Sequence, residues 1–224
     1  MNLEKMLHMQ KTLDDRIINE KGLENIDLFP NTILALNVEL SEFANEGRWF
    51  KHWSDDQEPR TTMKCIYCSG KGEGFFSGKV YTGSKEVCVF CSGSGKSTNK
   101  NPILEEFVDG VHFFLSIAIQ KGWTESLYIY EEALLEIKET GFDGGLTGAF
   151  LEMQYLLLNC YINNKPIEAI EKSLMISTNE FYFKSAWFLF MAIGLYGFHF
   201  TPEQIEAAYV EKNAVNHERQ DNGY

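Results

Sequence analysis

The sequence predicts an all-α helical bundle that carries one small inserted β/loop module. Three observations predict it. Apolar residues recur at three- and four-residue spacing along most of the chain. No segment outside residues 60–100 shows the convincing alternation of strands. Residues 61–100 also differ from everything around them: they are rich in glycine, hold two Cys-x-x-Cys pairs, and carry six lysines against two glutamates in a chain of net charge −12. The bundle is therefore expected to comprise residues 1–60 and 101–224, with 61–100 as the insertion.

The elements follow in order. Leu3, Met6, Leu7, Met9, Leu13, Ile17 and Ile18 predict a helix over residues 3–19, punctuated by Gly22 and Pro30. Asn31 or Thr32 is placed to cap a second helix, Ile33 to Glu46, stopped by Gly47. Short β-hairpins are expected in the insertion, for example at Gly78–Tyr81 and Glu86–Phe90. A third helix restarts with Pro102 at its first position, where a missing N–H costs nothing, and Gly122 ends it. Further helical patterns cover residues 125–139, 146–163, 165–177, 180–197 and 202–217.

With 224 residues, 44% of them hydrophobic, the chain can bury a core without disulfides or metals. The charge of −12 argues against attachment to nucleic acid or anionic membrane by bulk electrostatics. A polyanionic ligand must be recruited by local cations. The N-terminus shows no basic n-region followed by an apolar block, so a cytoplasmic protein is expected, in the host cytoplasm if phage-encoded. Ser185–Thr201 is nearly free of charge, but it is short for a membrane span and crowded by Gly194, Gly197 and His199. It reads as a helix buried on several sides, with no membrane partner.

Three groups of residues carry chemistry. The first is a repeat, Cys65-Ile66-Tyr67-Cys68-Ser69-Gly70-Lys71-Gly72 and Cys88-Val89-Phe90-Cys91-Ser92-Gly93-Ser94-Gly95. Cys-x2-Cys-x19-Cys-x2-Cys spacing suits a tetrahedral Zn²⁺ site, with glycines allowing the chain to turn after each pair. The competing reading, two disulfides, suits a secreted chain. The fifth cysteine, Cys160, sits among leucines and reads as a small buried apolar residue. The repeats resemble the Cys-x-x-Cys-x-Gly-x-Gly elements of DnaJ-type co-chaperones. That likeness implies a zinc-stapled, mainly structural knuckle, with a protein regulator or nucleic acid as its possible partner.

The second group is carboxylate. Glu39 and Glu42 on one predicted helix, and Glu106 and Asp109 on another, are each spaced i, i+3 and share a helix face. One such pair is ordinary on a solvated surface. Two pairs flanking one insertion suit hard divalent cations such as Mg²⁺, which bridge acids to phosphates. A di-iron bundle would want Glu-x-x-His motifs, and the sequence offers only Asp109-x-x-His112. The third group, Lys212, Asn216 and Arg219, falls on one helical stripe. It is either a frayed terminal helix or a clamp for phosphate and sugar hydroxyl.

Taken together, these motifs resemble the dimeric all-α dUTPases of the all-α nucleoside triphosphate pyrophosphohydrolase superfamily. The likeness rests on Met9-Gln10-Lys11-Thr12-Leu13-Asp14; on Glu39-x-x-Glu42 with Asn45-Glu46-Gly47-Arg48-Trp49-Phe50-Lys51-His52-Trp53; on Glu106-x-x-Asp109-Gly110-Val111-His112-Phe113-Phe114; and on Lys212-Asn213-x-x-Asn216-x-x-Arg219-Gln220-x-x-Gly223-Tyr224. It implies a Mg²⁺-dependent homodimer that hydrolyses dUTP, and dUDP, to dUMP. Glu39, Glu42, Glu106 and Asp109 would hold two or more metal ions, with one carboxylate orienting water. Gln10 would read the uracil edge and Trp53 would pack on the base. His112 and Asn216 would address the deoxyribose, and Lys212 and Arg219 the phosphates. Lys51 and Asp14 join the substrate-binding set, although Asp14 stands where many relatives have Asn. A dCTP-type pyrophosphatase on the same scaffold, or a binding protein acting through the zinc module, are the alternatives. Phe113, Phe114, Phe188, Phe190 and Met191 are expected to serve core or dimer packing.

Overall fold

A computed structural model describes residues 1–74, 76–77, 80–81, 85–97 and 100–223, with the backbone alone at the strand residues 76, 77, 80 and 81. Gly78, Lys79 and Tyr224 lie outside the described residues. The fold is all-α, with eight α-helices among the described residues and two-residue strands confined to the insertion. The chain divides into two compact units, Met1–Glu42 with Phe107–Tyr224, and Phe43–Glu106.

The larger unit begins with α1 (Leu3–Lys21). The Asn2 side chain accepts a hydrogen bond from the Lys5 N–H, and left-handed Gly22 ends the helix. Helix α2 (Phe29–Gly47) starts earlier than expected, because Asp27 Oδ1 accepts from the Phe29 N–H at 3.1 Å and Pro30 is tolerated in the first turn. Helix α3 (Pro102–Lys121) forms as predicted. The helix expected at 125–139 is broken into a 3₁₀ turn (Thr124–Leu127) and α4 (Glu131–Thr140). The Leu127 carbonyl is taken by the Trp187 indole N–H at 2.8 Å, and Tyr128 turns extended.

Helices α5 (Gly145–Ile162), α6 (Glu168–Leu174), α7 (Thr178–Ala192) and α8 (Pro202–Asp221) complete the unit. Helix α6 is shorter than expected: the Ile167 N–H donates to Thr178 Oγ1 at 2.8 Å, and Met175 adopts a left-handed conformation. A π-helical turn, Ile193–Gly197, follows α7. There α7 and α3 approach closely. A Cβ on Gly194 would meet the Phe107 ring at 2.4 Å, and one on Gly110 the Phe190 ring at 2.7 Å. Phe107 and Phe190 stack at 4.3 Å, and Phe114 joins them at 5.0 Å from Phe190. Phe114, Phe190 and Met191 are thus core, as expected, and Ala186, Trp187, Ile193 and Phe200 bury much of the apolar 185–201 stretch. Among the described residues no single helix is long and apolar enough to cross a membrane, although α7 with its π turn and α8 pass together as a pair bent by 113°.

In the smaller unit, β1 (Met63–Lys64) pairs antiparallel with β4 (Lys96–Ser97), and β2 (Phe76–Ser77) with β3 (Val80–Tyr81). The expected strand at Glu86–Phe90 does not form. Val87 makes a single bridge to Glu73, and the chain then turns around Cys88 and Cys91. Arg60 Nη1 donates to Glu46 Oε1 at 3.0 Å, and the Arg60 carbonyl accepts from the Ile103 N–H at 3.1 Å.

Candidate active site

Helical periodicity builds a cleft within the larger unit. Gln10, Leu13, Asp14 and Ile17 share one face of α1; Asp109, His112, Phe113 and Ser116 share one face of α3; Lys212, Asn216, Arg219 and Gln220 share one face of α8. With Glu39 from α2 they enclose about 280 Å³. Of the sequence-predicted residues, Gln10, Asp14, Glu39, Asp109, His112, Lys212, Asn216 and Arg219 therefore line one space. Phe113, expected to be packing, lines it too. Ser116 and Gln220 had been given no role; both lie one helical turn beyond predicted residues, which is the signal that could have found them.

The acids of this cleft repel one another. Burial holds the Glu39 carboxyl above its usual range, and Asp109 and Glu42 raise it further, against Lys212 and Arg219. Burial also raises Asp109, opposed by its hydrogen bond from Lys212 Nζ and by Arg219. Glu106 precedes Asp109 by three residues on α3. An all-oxygen donor set under mutual repulsion fits hard divalent cations, and offers neither thiolate nor imidazole to softer ones.

Deeper in the cleft is a hydrogen-bonded group. Gln10 is buried, and its Nε2 donates to Asp14 Oδ1 at 2.8 Å. Its Oε1 accepts from the Tyr209 hydroxyl at 2.9 Å and lies 2.7 Å from His112 Nδ1. The His112 and Tyr209 rings stack at 4.1 Å. Burial, with Lys212 nearby, pushes the His112 pKa down to about 3, so the imidazole is neutral at working pH. Burial pushes Asp14 up to about 6, while Ser116 and Gln10 oppose it. Two buried atoms here have no hydrogen-bond partner, Asp14 Oδ2 and His112 Nε2. Sequence reasoning did not find Tyr209.

Lys51 and Trp53 belong to the smaller unit. Lys51 Nζ donates to Asn45 Oδ1, and Trp53, 68% exposed, packs edge-on against Phe50 and His52. The four knuckle cysteines, also there, are all buried, and their sulfurs lie within 4.8 Å of one another. Zn–S bonds of about 2.3 Å would place tetrahedral sulfurs roughly 3.8 Å apart, and Cys68 and Cys91 Sγ are 3.7 Å apart. The Gly72 N–H donates to Cys68 Sγ and the Gly95 N–H to Cys91 Sγ, each at 3.3 Å. Those donors suit thiolates, and the cluster could bind a metal such as zinc. Cys160, in the larger unit, is buried and its thiol is pushed up to about 12, which makes it an inert packing residue.

Carboxylates set against a lysine and an arginine in one walled cleft of an all-α scaffold suit a ligand that carries phosphate groups. A family model described as dUTPase matches residues 2–67 and 93–224, and the chain belongs to the all-α dUTPase family. It is an enzyme of nucleotide metabolism, a dUTP diphosphatase. No curated protein matches the chain. The stretch left unmatched, 68–92, falls inside the cysteine module.

Proposed function

We propose that the enzyme hydrolyses dUTP, and dUDP as well, to dUMP in a Mg²⁺-dependent reaction, with Glu39, Glu42, Glu106 and Asp109 as the metal-holding set. The observation that carries this reading is the cleft, where mutually repelling Glu39 and Asp109 face Lys212 and Arg219. Bound Mg²⁺ supplies Lewis-acid polarisation of phosphoryl oxygen and eases ionisation of water. One carboxylate of the set orients the attacking water. Lys212 and Arg219 bind phosphate oxygens, Arg219 through its planar fork. His112 and Asn216 address the deoxyribose, and Gln10 and Asp14 line the space for the base. Trp53 and Lys51 complete the proposed substrate-binding set.

The experiment is a nucleotide panel (dUTP, dUDP, dCTP, dTTP, UTP) assayed with Mg²⁺ and with excess chelator, products identified. Mg²⁺-dependent pyrophosphate release from dUTP is expected, abolished by Glu42→Ala or Glu106→Ala. Full turnover in chelator, or in either variant, contradicts the reading.

We further propose that residues 61–100 are an insertion holding one structural Zn²⁺ through Cys65, Cys68, Cys88 and Cys91. Ile66 and Val89 are 71% and 77% exposed, and the exposed rings of Tyr67 and Phe90 stack at 3.7 Å, which supports contact with a protein regulator beside the structural role. Deleting 61–100 and assaying hydrolysis separately from regulator binding tests both.

A homodimer is proposed from α5. Leu151, Tyr155, Leu158 and Ile162 are exposed along one stripe of it, an apolar face that a folded monomer rarely leaves in water. A hollow of about 630 Å³ bounded by Tyr130, Leu156, Phe181 and Phe188, the last expected in core or dimer packing, adds to the apolar surface of the same unit.

A further inference from the structure

The two halves of the cysteine repeat build the same turn from different side chains. In the first, the Lys64 stem lies over Gly70, where an added Cβ would meet its Cγ and Cδ at 3.3 Å. In the second, Val87 lies over Gly93 in the same way, at 3.1 Å. Lys71 likewise has Ser94 as its counterpart. The turn therefore forms without cations, and its fold does not account for the lysines. The halves meet where a Cβ on Gly95 would strike the Gly70 carbonyl oxygen at 2.4 Å. Lys71 and Lys96 are the residues that follow those two glycines, so Lys64, Lys71 and Lys96, all exposed, leave the chain around one point. Lys64 and Lys96 are also register partners in the β1–β4 pair. Like charges directly opposite each other destabilise a strand pair, and an anion set between them removes the repulsion. Among the described residues no carboxylate pairs with either. A zinc tetrathiolate would absorb two positive charges, fewer than the module's excess of lysine over glutamate, six against two. The same turns carry Tyr67 and Phe90, whose rings stack at 3.7 Å yet are 42% and 57% exposed, so each keeps ring surface in water.

We propose that the cysteine module binds single-stranded nucleic acid, with Lys64, Lys71 and Lys96 against backbone phosphates and with Tyr67 and Phe90 as the platform on which bases stack. Cations that track the backbone and aromatic faces that accept any base are the two parts such a surface needs. Apolar tips alone suit a protein, whereas the opposed lysines call for phosphate. A duplex hides the faces of its bases and gives the two rings nothing to stack on. The net charge of −12 repels the strand from the rest of the chain and confines the contact to the module. The inference goes beyond the hydrolytic reading and stands without it, because every residue it uses lies in the module.

The test measures binding of fluorescein-labelled oligo(dT), about 20 nucleotides long, to the zinc-containing full chain by fluorescence anisotropy in Mg²⁺-free buffer. A duplex of the same length and polyglutamate are the comparison probes. Oligo(dT) is expected to bind at least fivefold tighter than either. Its Kd should rise about tenfold between about 50 and about 150 mM NaCl, the dependence that three phosphate contacts on a single strand predict. Lys64→Gln/Lys96→Gln weakens it tenfold or more and flattens the salt dependence, with zinc content and dUTP hydrolysis unchanged. Tyr67→Leu/Phe90→Leu weakens it threefold or more and leaves the salt dependence as it was. Should the double lysine variant lose zinc, Lys71→Gln, outside the β1–β4 pair, is read for a threefold loss. No binding at the lower salt, a duplex bound as tightly as oligo(dT), or lysine variants that bind like wild type overturn the proposal. Polyglutamate bound as tightly as oligo(dT) also overturns it, and makes the partner an acidic protein.

Discussion

Asp14 shows what burying a carboxyl costs in stability. Its pKa is about 6 in the folded chain against 3.8 as a free side chain, with burial as the main cause. The folded state therefore holds its proton more tightly. The penalty is absent below about pH 4 and complete above the folded value, so stability from this group is lost as pH rises through 6. Asp14→Asn should raise stability at pH 8 by on the order of 2–3 kcal/mol and change it little at pH 4. Denaturant melts at the two pH values check this, and equal shifts at both would remove the buried-charge account. His112 has the opposite sign. Its folded pKa of about 3 lies below the ordinary 6.5, so its contribution is present above 6.5 and is lost on acidification.

At the scale of elements, the cysteine knuckle depends on backbone as much as on sulfur. Gly72 and Gly95 have φ of +77° and +70°, and a Cβ on either would strike the carbonyl oxygen of Gly93 or Gly70 at 2.3 and 2.4 Å. Each glycine N–H also donates to a cysteine sulfur. Gly72→Ala or Gly95→Ala should cut bound zinc from one ion per chain to well under half, measured by elemental analysis of the purified protein, while α-helical circular dichroism is kept. Full zinc content in both variants would show that the turns tolerate a side chain and that the repeat was misread. The helices around the cleft follow a different rule. Metal binding relieves repulsion among their acids, so Mg²⁺ should raise the melting temperature of wild type but not of Glu39→Gln/Asp109→Asn. Identical Mg²⁺ titration curves for the two proteins would remove the acids from the metal site.

For the whole molecule, the exposed stripe of α5 makes assembly the natural test. Tyr155→Glu with Leu158→Glu puts charge in the middle of that stripe and should convert a dimer to a folded monomer, read by light scattering after gel filtration. A variant that stays dimeric, or a wild type already monomeric, removes α5 as the interface. The helical scaffold itself was legible because its apolar spacing is long and regular: α1, α3 and α5 begin and end close to the predicted residues, and α8 starts at the predicted residue and runs on to Asp221. The misreadings fell where a distant partner intervened. The Trp187 indole, 60 residues away, takes the Leu127 carbonyl and splits one predicted helix. Thr178 takes the Ile167 N–H and trims another.

Local covalent pattern sufficed for the helical class, the cysteine knuckle, the paired acids and the membership they signal, because each depends on neighbours within a turn or two of chain. Only the folded arrangement decided which polar atoms remain available. Gln10 reads in sequence as a free amide, yet it is buried with its oxygen beside His112 and Tyr209, 102 and 199 positions away. Hydrogen-bond capacity is finite and is spent in three dimensions, so what a buried amide can still offer is settled only once its distant partners are in place.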